Sequence, residues 1–212
     1  ATAVEAGGRL RPGQPYFVME YAGGTVEGLL GDPPTWPRLR EILLTLLEAL
    51  GHAHSRRVIH RDIKPSNILA AATGDGDRQR LILSDFGLAY LRDISNSMSA
   101  SDPRTRGTPL YMSPEQFRER ARHYGPWTDL YGLGCLAWEL ATGDPPFQAQ
   151  TPLAIARMHL QDDPPAFRPR LDLPADFEPW VRRLLAKRPS DRFEHAATAA
   201  GSLLELSDRQ TG

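Results

Sequence analysis

Cysteine is nearly absent from this 212-residue chain. Cys135 stands alone, so no internal disulfide can form, and a reducing compartment fits. An excess of one charge sign is lacking too. Lys+Arg 25 against Asp+Glu 26 leaves a formal net charge of −1, which offers no basic field to nucleic acid or to an anionic membrane. Long apolar runs are also missing. The longest, Ile42 to Leu50, is broken by Thr45 and Glu48. It falls far short of the roughly 20 residues that span a bilayer. Ala1-Thr2-Ala3-Val4-Glu5 has no basic segment leading into an apolar core, so no signal peptide is expected and a cytoplasmic location is. Lysine is the scarcest charged residue. Only Lys64 and Lys187 occur, the other 23 basic residues being arginines, and any chemistry that needs a side-chain amine must use one of these two.

What remains is ordinary globular material, with 41% hydrophobic and 24% charged residues. Residues 1–21 read as strand, turn and strand: Thr2-Ala3-Val4-Glu5, a stretch rich in Gly and Pro, then Tyr16-Phe17-Val18-Met19-Glu20-Tyr21. Gly23-Gly24 reads as a linker turn. From Thr35 the pattern becomes helical. Leu39, Ile42, Leu43, Leu46, Leu47 and Leu50 recur at helical spacing, with Thr35 as N-cap and Pro37 in the first turn. A polar loop turning at Gly74-Asp75-Gly76 joins Asn67-Ile68-Leu69 to Leu81-Ile82-Leu83 as a hairpin. Residues 94–106, rich in Ser, Asp and Arg, read as a loop. Helical patterns follow at 128–141, 153–161, 177–186 and 196–206, separated by proline clusters. The fold class expected is α+β, mainly α.

The informative stretch is His60-Arg61-Asp62-Ile63-Lys64-Pro65-Ser66-Asn67, which places a carboxylate, an ammonium and a carboxamide within six residues. Pro65 turns Lys64 away from helical geometry, so these side chains sit on a loop and can converge. Asp85-Phe86-Gly87 follows directly on the strand Leu81–Leu83. Oxygen-bearing side chains at two neighbouring strand ends, Asn67 and Asp85, suit Mg²⁺, a hard cation held by few protein ligands plus phosphate and water. Asp62 is then free to orient a hydroxyl nucleophile.

Together these residues resemble the eukaryotic-like protein kinases. His60 to Asn67 is similar to their catalytic loop and Asp85-Phe86-Gly87 to their metal-binding triplet. Gly107-Thr108-Pro109-Leu110-Tyr111-Met112-Ser113-Pro114-Glu115 resembles the end of their activation segment, with Ser113 where alanine is commoner. Asp129 to Gly134 resembles the helix whose aspartate braces the catalytic loop, and Arg192 stands where a late arginine pairs with Glu115. The resemblance runs in order from Pro15 to Leu206. Lys64 with Gly107-Thr108 points to the serine/threonine branch, and the stretch from Pro146 to Pro165 resembles bacterial members.

The resemblance implies a set of roles. Asp62 would orient the acceptor hydroxyl of a protein substrate, Lys64 would steady the transferring phosphoryl group, Asn67 and Asp85 would hold Mg²⁺, and Thr108 would buttress Asp62 and Lys64. ATP would meet Met19 as gatekeeper, the backbones of Glu20 and Ala22, and Leu69 beneath the adenine. Arg61 implies an activation loop ordered by phosphate, with Ser95, Ser97, Ser99, Ser101 and Thr105 as acceptors. It also implies a division into an N-lobe remnant with hinge (1–22), a C-lobe (23–207) and a tail (208–212). The family's Gly-rich loop, strand lysine and helix glutamate would lie upstream of Tyr16, and neither Lys64 nor Lys187 can replace that lysine. Two expectations follow: a kinase catalytic lobe whose N-lobe or further domains belong to a longer chain, or a pseudokinase-like half-kinase serving as a binding module.

Other features read as structural. Gly132-Leu133-Gly134-Cys135-Leu136-Ala137 fits a dinucleotide pattern but lacks a preceding strand, so it reads as a buried helix with small residues for close packing. His52 and His54, two apart, point to different faces of a helix, and His60 belongs to the packing of the catalytic loop that the resemblance implies, so the three histidines do not read as a metal site. The arginine-rich run at 118–122 reads as a solvated face.

Overall fold

The computed structural model describes residues 23–30, 33–72, 79–86, 109–118 and 124–206. The expected hairpin at 1–21 and the loop at 94–106 lie outside them.

A small sheet and a helical body make up the described chain. Strand β1 (Gly24–Thr25) leads through a short 3-10 turn to helix α1 (Trp36–Ser55). Strands β2 (Ile68–Ala72) and β3 (Gln79–Leu83) form the expected antiparallel pair, with Ile68 opposite Leu83 and Leu69 opposite Ile82. β1 joins the other edge of β2, Thr25 facing Leu69. Gly24 therefore lies in a two-residue strand rather than a linker turn, a pairing too short to leave any alternating pattern. Helices α2 (Pro114–Phe117), α3 (Pro126–Thr142), α4 (Pro152–Gln161), α5 (Phe177–Leu184) and α6 (Ala196–Leu204) complete the body.

Burial explains the arrangement. On α1 the leucine and isoleucine stripe read from the sequence is fully buried from Leu39 to Leu50 and packs on α6 and α3. Each such side chain contributes about 1.5–3 kcal/mol. Helix α3 is buried on every side from Thr128 to Ala141, so it is apolar all round instead of amphipathic. Close approach to it needs small residues at two points. A Cβ on Gly134 would stand 2.8 Å from Leu184 Cβ on α5, and one on Gly132 would stand 3.1 Å from Ile63 Cβ in the loop that follows α1. These glycines are thus packing residues, and Gly132 brings the 60–67 loop down onto α3. Aromatic edges finish the core, Trp36 meeting Phe177 at 5.4 Å between ring centroids and Trp138 meeting Phe167 at 4.9 Å.

Cys135 is fully buried in α3, and burial pushes its thiol well above the ordinary range. A thiolate is the reactive form. A disulfide reagent at neutral pH is therefore expected to leave the native protein unlabelled and to titrate one thiol after denaturation. Rapid labelling of the native chain would contradict this placement.

Candidate active site

The residues from His60 to Asn67 run between α1 and β2 and are fixed from below by α3. Asp129, in the first turn of α3, is fully buried and accepts three hydrogen bonds. Two come from backbone N–H groups, His60 to Oδ2 at 2.9 Å and Arg61 to Oδ1 at 2.7 Å; the third partner is His54 Nε2 of α1, 2.7 Å from Oδ2. A buried carboxylate with this many donors is well compensated for its desolvation. His54 had shown nothing in the sequence beyond a helical position; its partner is 75 residues away.

His60 is buried, and its Nε2 lies 2.7 Å from the Ser84 carbonyl oxygen. Its ring packs on Phe86 at 4.6 Å. This ties the loop to the end of β3. Ser84 closes the link from the other side, its N–H and hydroxyl both donating to the Asn67 carbonyl at 2.9 and 3.0 Å. The β2–β3 register carries Asn67 opposite Ser84, so Asp85 follows one residue beyond that clamp. Asp85 has φ 64°, a left-handed conformation that aspartate tolerates better than most residues.

At the centre of the loop three side chains meet. Lys64 is extended (φ −159°, ψ 161°), as expected ahead of Pro65, and its Nζ donates to Asp62 Oδ2 at 2.7 Å. Asn67 Nδ2 donates to the same Oδ2 at 3.0 Å and to the Asp62 backbone carbonyl at 2.8 Å. The carboxylate is thus gripped at one oxygen, with Asp62 and Lys64 partly exposed at 28% and 19% of their side chains. Both bonds of the Asn67 carboxamide use its nitrogen, which leaves its oxygen as the hard donor. Leu69 is half-buried on β2. Of the residues expected at the site, Asp62, Lys64, Asn67, Leu69 and Asp85 are described, and Asp62, Lys64 and Asn67 touch one another. Thr108, Met19, Glu20 and Ala22 lie outside the described residues.

A second anchor sits beneath the loop. Arg192 is buried and makes a bidentate pair with Glu115 at the start of α2, at 2.9 and 3.0 Å. Its remaining donors reach the carbonyl oxygens of Ala186, Trp127 and Lys187. Thr128 donates to Glu115 at 3.0 Å. Next to Glu115, Gln116 Nε2 donates to the Arg61 carbonyl at 2.8 Å, a contact that sequence reading missed. Further out, His159 is enclosed by Phe117, Tyr131 and Phe147, and burial pushes its imidazole down to about 3. Lys187 donates to the Met158 carbonyl at 3.1 Å and lies 4.3 Å from the Phe147 ring centroid.

The model of the protein kinase domain matches residues 10–202. The chain belongs to that family. Among curated relatives of this kinase domain, it is 35% identical to serine/threonine-protein kinase PknB of Mycolicibacterium smegmatis over 201 residues, covering 92% of this chain and 31% of that protein. It is 36% identical to PknF of Mycobacterium tuberculosis over 196 residues, covering 90% and 40%. The crystal structure of a cysteine-to-alanine mutant of the PknI kinase domain of Mycobacterium tuberculosis aligns with a TM-score of 0.63 at 26% identity, covering 89% of this chain and 64% of that one. By family this is a eukaryotic-like bacterial serine/threonine kinase domain, and the described part is its helical C-lobe with a small sheet. The chain spans about a third to two fifths of the length of the curated relatives it matches. No helix among the described residues is long and apolar enough to cross a membrane.

Proposed function

We propose that this kinase lobe holds the hydroxyl-positioning half of a serine/threonine phosphotransfer site, and that the 212 residues taken by themselves are a non-catalytic, pseudokinase-like binding module. The first part rests on one observation, the Asp62 carboxylate gripped at Oδ2 by Lys64 Nζ and Asn67 Nδ2. That grip points the second oxygen, Oδ1, at an incoming serine or threonine hydroxyl of a protein substrate and accepts a hydrogen bond from it. Lys64 keeps a positive charge beside the reacting oxygens. Preorganised charge and position are what phosphoryl transfer asks of a protein.

The donor set suits magnesium: the Asn67 amide nitrogen is committed to Asp62, its oxygen is left over, and the Asp85 carboxylate follows the Ser84 clamp. Bound Mg-ATP would supply the phosphoryl group and the positive charge that offsets its negative oxygens. Asn67 and Asp85 would hold the ion, while Leu69, with Met19, Glu20 and Ala22, would receive the nucleotide base.

The second part also has its own observation. Lys64 serves the Asp62 side of the transfer, and Lys187 is held by the Met158 carbonyl and Phe147. No other side-chain amine exists in these 212 residues to grip the ATP phosphates. Such an electrostatic element is worth several kcal/mol in a transition state. The purified 212-residue chain with Mg-ATP and a protein substrate is therefore expected to transfer phosphate no faster than a blank. Robust labelling of the substrate would sink the module reading. In the full-length protein, Asp85→Asn is expected to weaken magnesium-dependent nucleotide binding about tenfold, the scale of one charge-assisted contact. Equal titrations of parent and variant would remove the metal role.

A further inference from the structure

Arg61, the residue before Asp62, has φ 70°, a left-handed backbone that side chains with a Cβ disfavour. Such a conformation persists where the surroundings over-determine it. Here they do so from both sides. The Arg61 N–H donates to Asp129 Oδ1, and the Arg61 carbonyl accepts from Gln116 Nε2 at 2.8 Å. The peptide plane between Arg61 and Asp62 is consequently pinned at both of its polar atoms, because the Asp62 N–H at its other edge donates to His60 Nδ1 at 3.3 Å.

Gln116 is itself held in one orientation. Its Oε1 accepts from the Ser113 N–H at 2.9 Å and from the Ser113 hydroxyl at 3.1 Å, so its amide nitrogen must face the other way, toward Arg61. Ser113 stands where the commoner motif has alanine, and its hydroxyl adds the second of these donors. The carboxamide thereby bridges the start of α2, which Glu115 anchors on Arg192, to the peptide that carries the nitrogen of Asp62.

We propose that Gln116 is a positioning residue, setting the direction of Asp62 through the Arg61 carbonyl. The proposal rests on the reading of Asp62 as the hydroxyl-orienting carboxylate. Gln116→Glu tests it in the full-length protein. This nearly isosteric change keeps an acceptor for both Ser113 donors and sets a carboxylate oxygen against the Arg61 carbonyl. The expected result is a roughly tenfold lower kcat with the KM for ATP unchanged within about twofold. Amide hydrogen exchange in a peptide covering 60–63 should rise roughly tenfold while exchange across α3 stays as it was. Ser113→Ala, a milder change, should move both readouts the same way by about two- to threefold. An unchanged kcat, unchanged exchange at 60–63, or faster exchange spread equally over α3 would overturn the proposal. Asp62→Asn run alongside separates the two readings: if that variant keeps its turnover, the role of Asp62 fails, and the exchange at 60–63 alone decides whether Gln116 fixes the loop.

Discussion

Asp62→Asn in the full-length protein is expected to lower phosphotransfer turnover about 10³-fold, within the range for removing a positioned acid–base group. Nucleotide affinity should stay within about twofold. The reason lies in the grip on Oδ2. Lys64 and Asn67 both donate to that oxygen, so an asparagine at 62 would turn its amide oxygen toward them and present its NH₂ where Oδ1 stood. A donor would then face the substrate hydroxyl in place of an acceptor. The fold should survive, since the backbone of the loop is held by Asp129, His60 and Gln116 and not by the Asp62 side chain. Turnover in single- and multiple-turnover assays, with nucleotide titration beside it, checks the claim. A variant that keeps more than a tenth of parental turnover would remove Asp62 from the chemistry.

Arg192→Met carries the largest expected loss of stability. It leaves the Glu115 carboxylate buried with only Thr128 as a described side-chain donor, and an unpaired buried charge costs about 3–5 kcal/mol. For a domain of this size that lowers Tm by roughly 10 °C. The double variant Arg192→Met with Glu115→Gln should regain part of the loss, because no uncompensated charge remains and the two effects are not additive. Thermal unfolding followed by circular dichroism reads both. A single variant within about 2 °C of the parent would show that the pair contributes little.

Much of this was legible in the sequence. The stripe from Leu39 to Leu50 gave α1 because its apolar residues fall on one face, and the ordered motifs from His60 to Arg192 gave the family because few chains hold them all in that order. Arg192 with Glu115 and Asp129 under the loop were both expected, and the structure shows their bonds. His54, Ser84 and Gln116 were not legible. Each acts on a partner between 17 and 75 residues away, mostly a backbone carbonyl, and such contacts leave no local pattern. Helix α2 was also unseen, being four residues long and shaped by Ser113 and Gln116 more than by periodicity.

The pairing of Glu115 with Arg192 also sets an order of events during synthesis. The carboxylate leaves the ribosome 77 residues ahead of its guanidinium. At about 5–20 residues per second, that interval is roughly 4–15 s. Until then the nascent chain holds α2 without its anchor, whereas Asp129, made 63 residues before Arg192, can already brace the 60–67 loop, so that the start of α2 is the last part of this assembly to be locked.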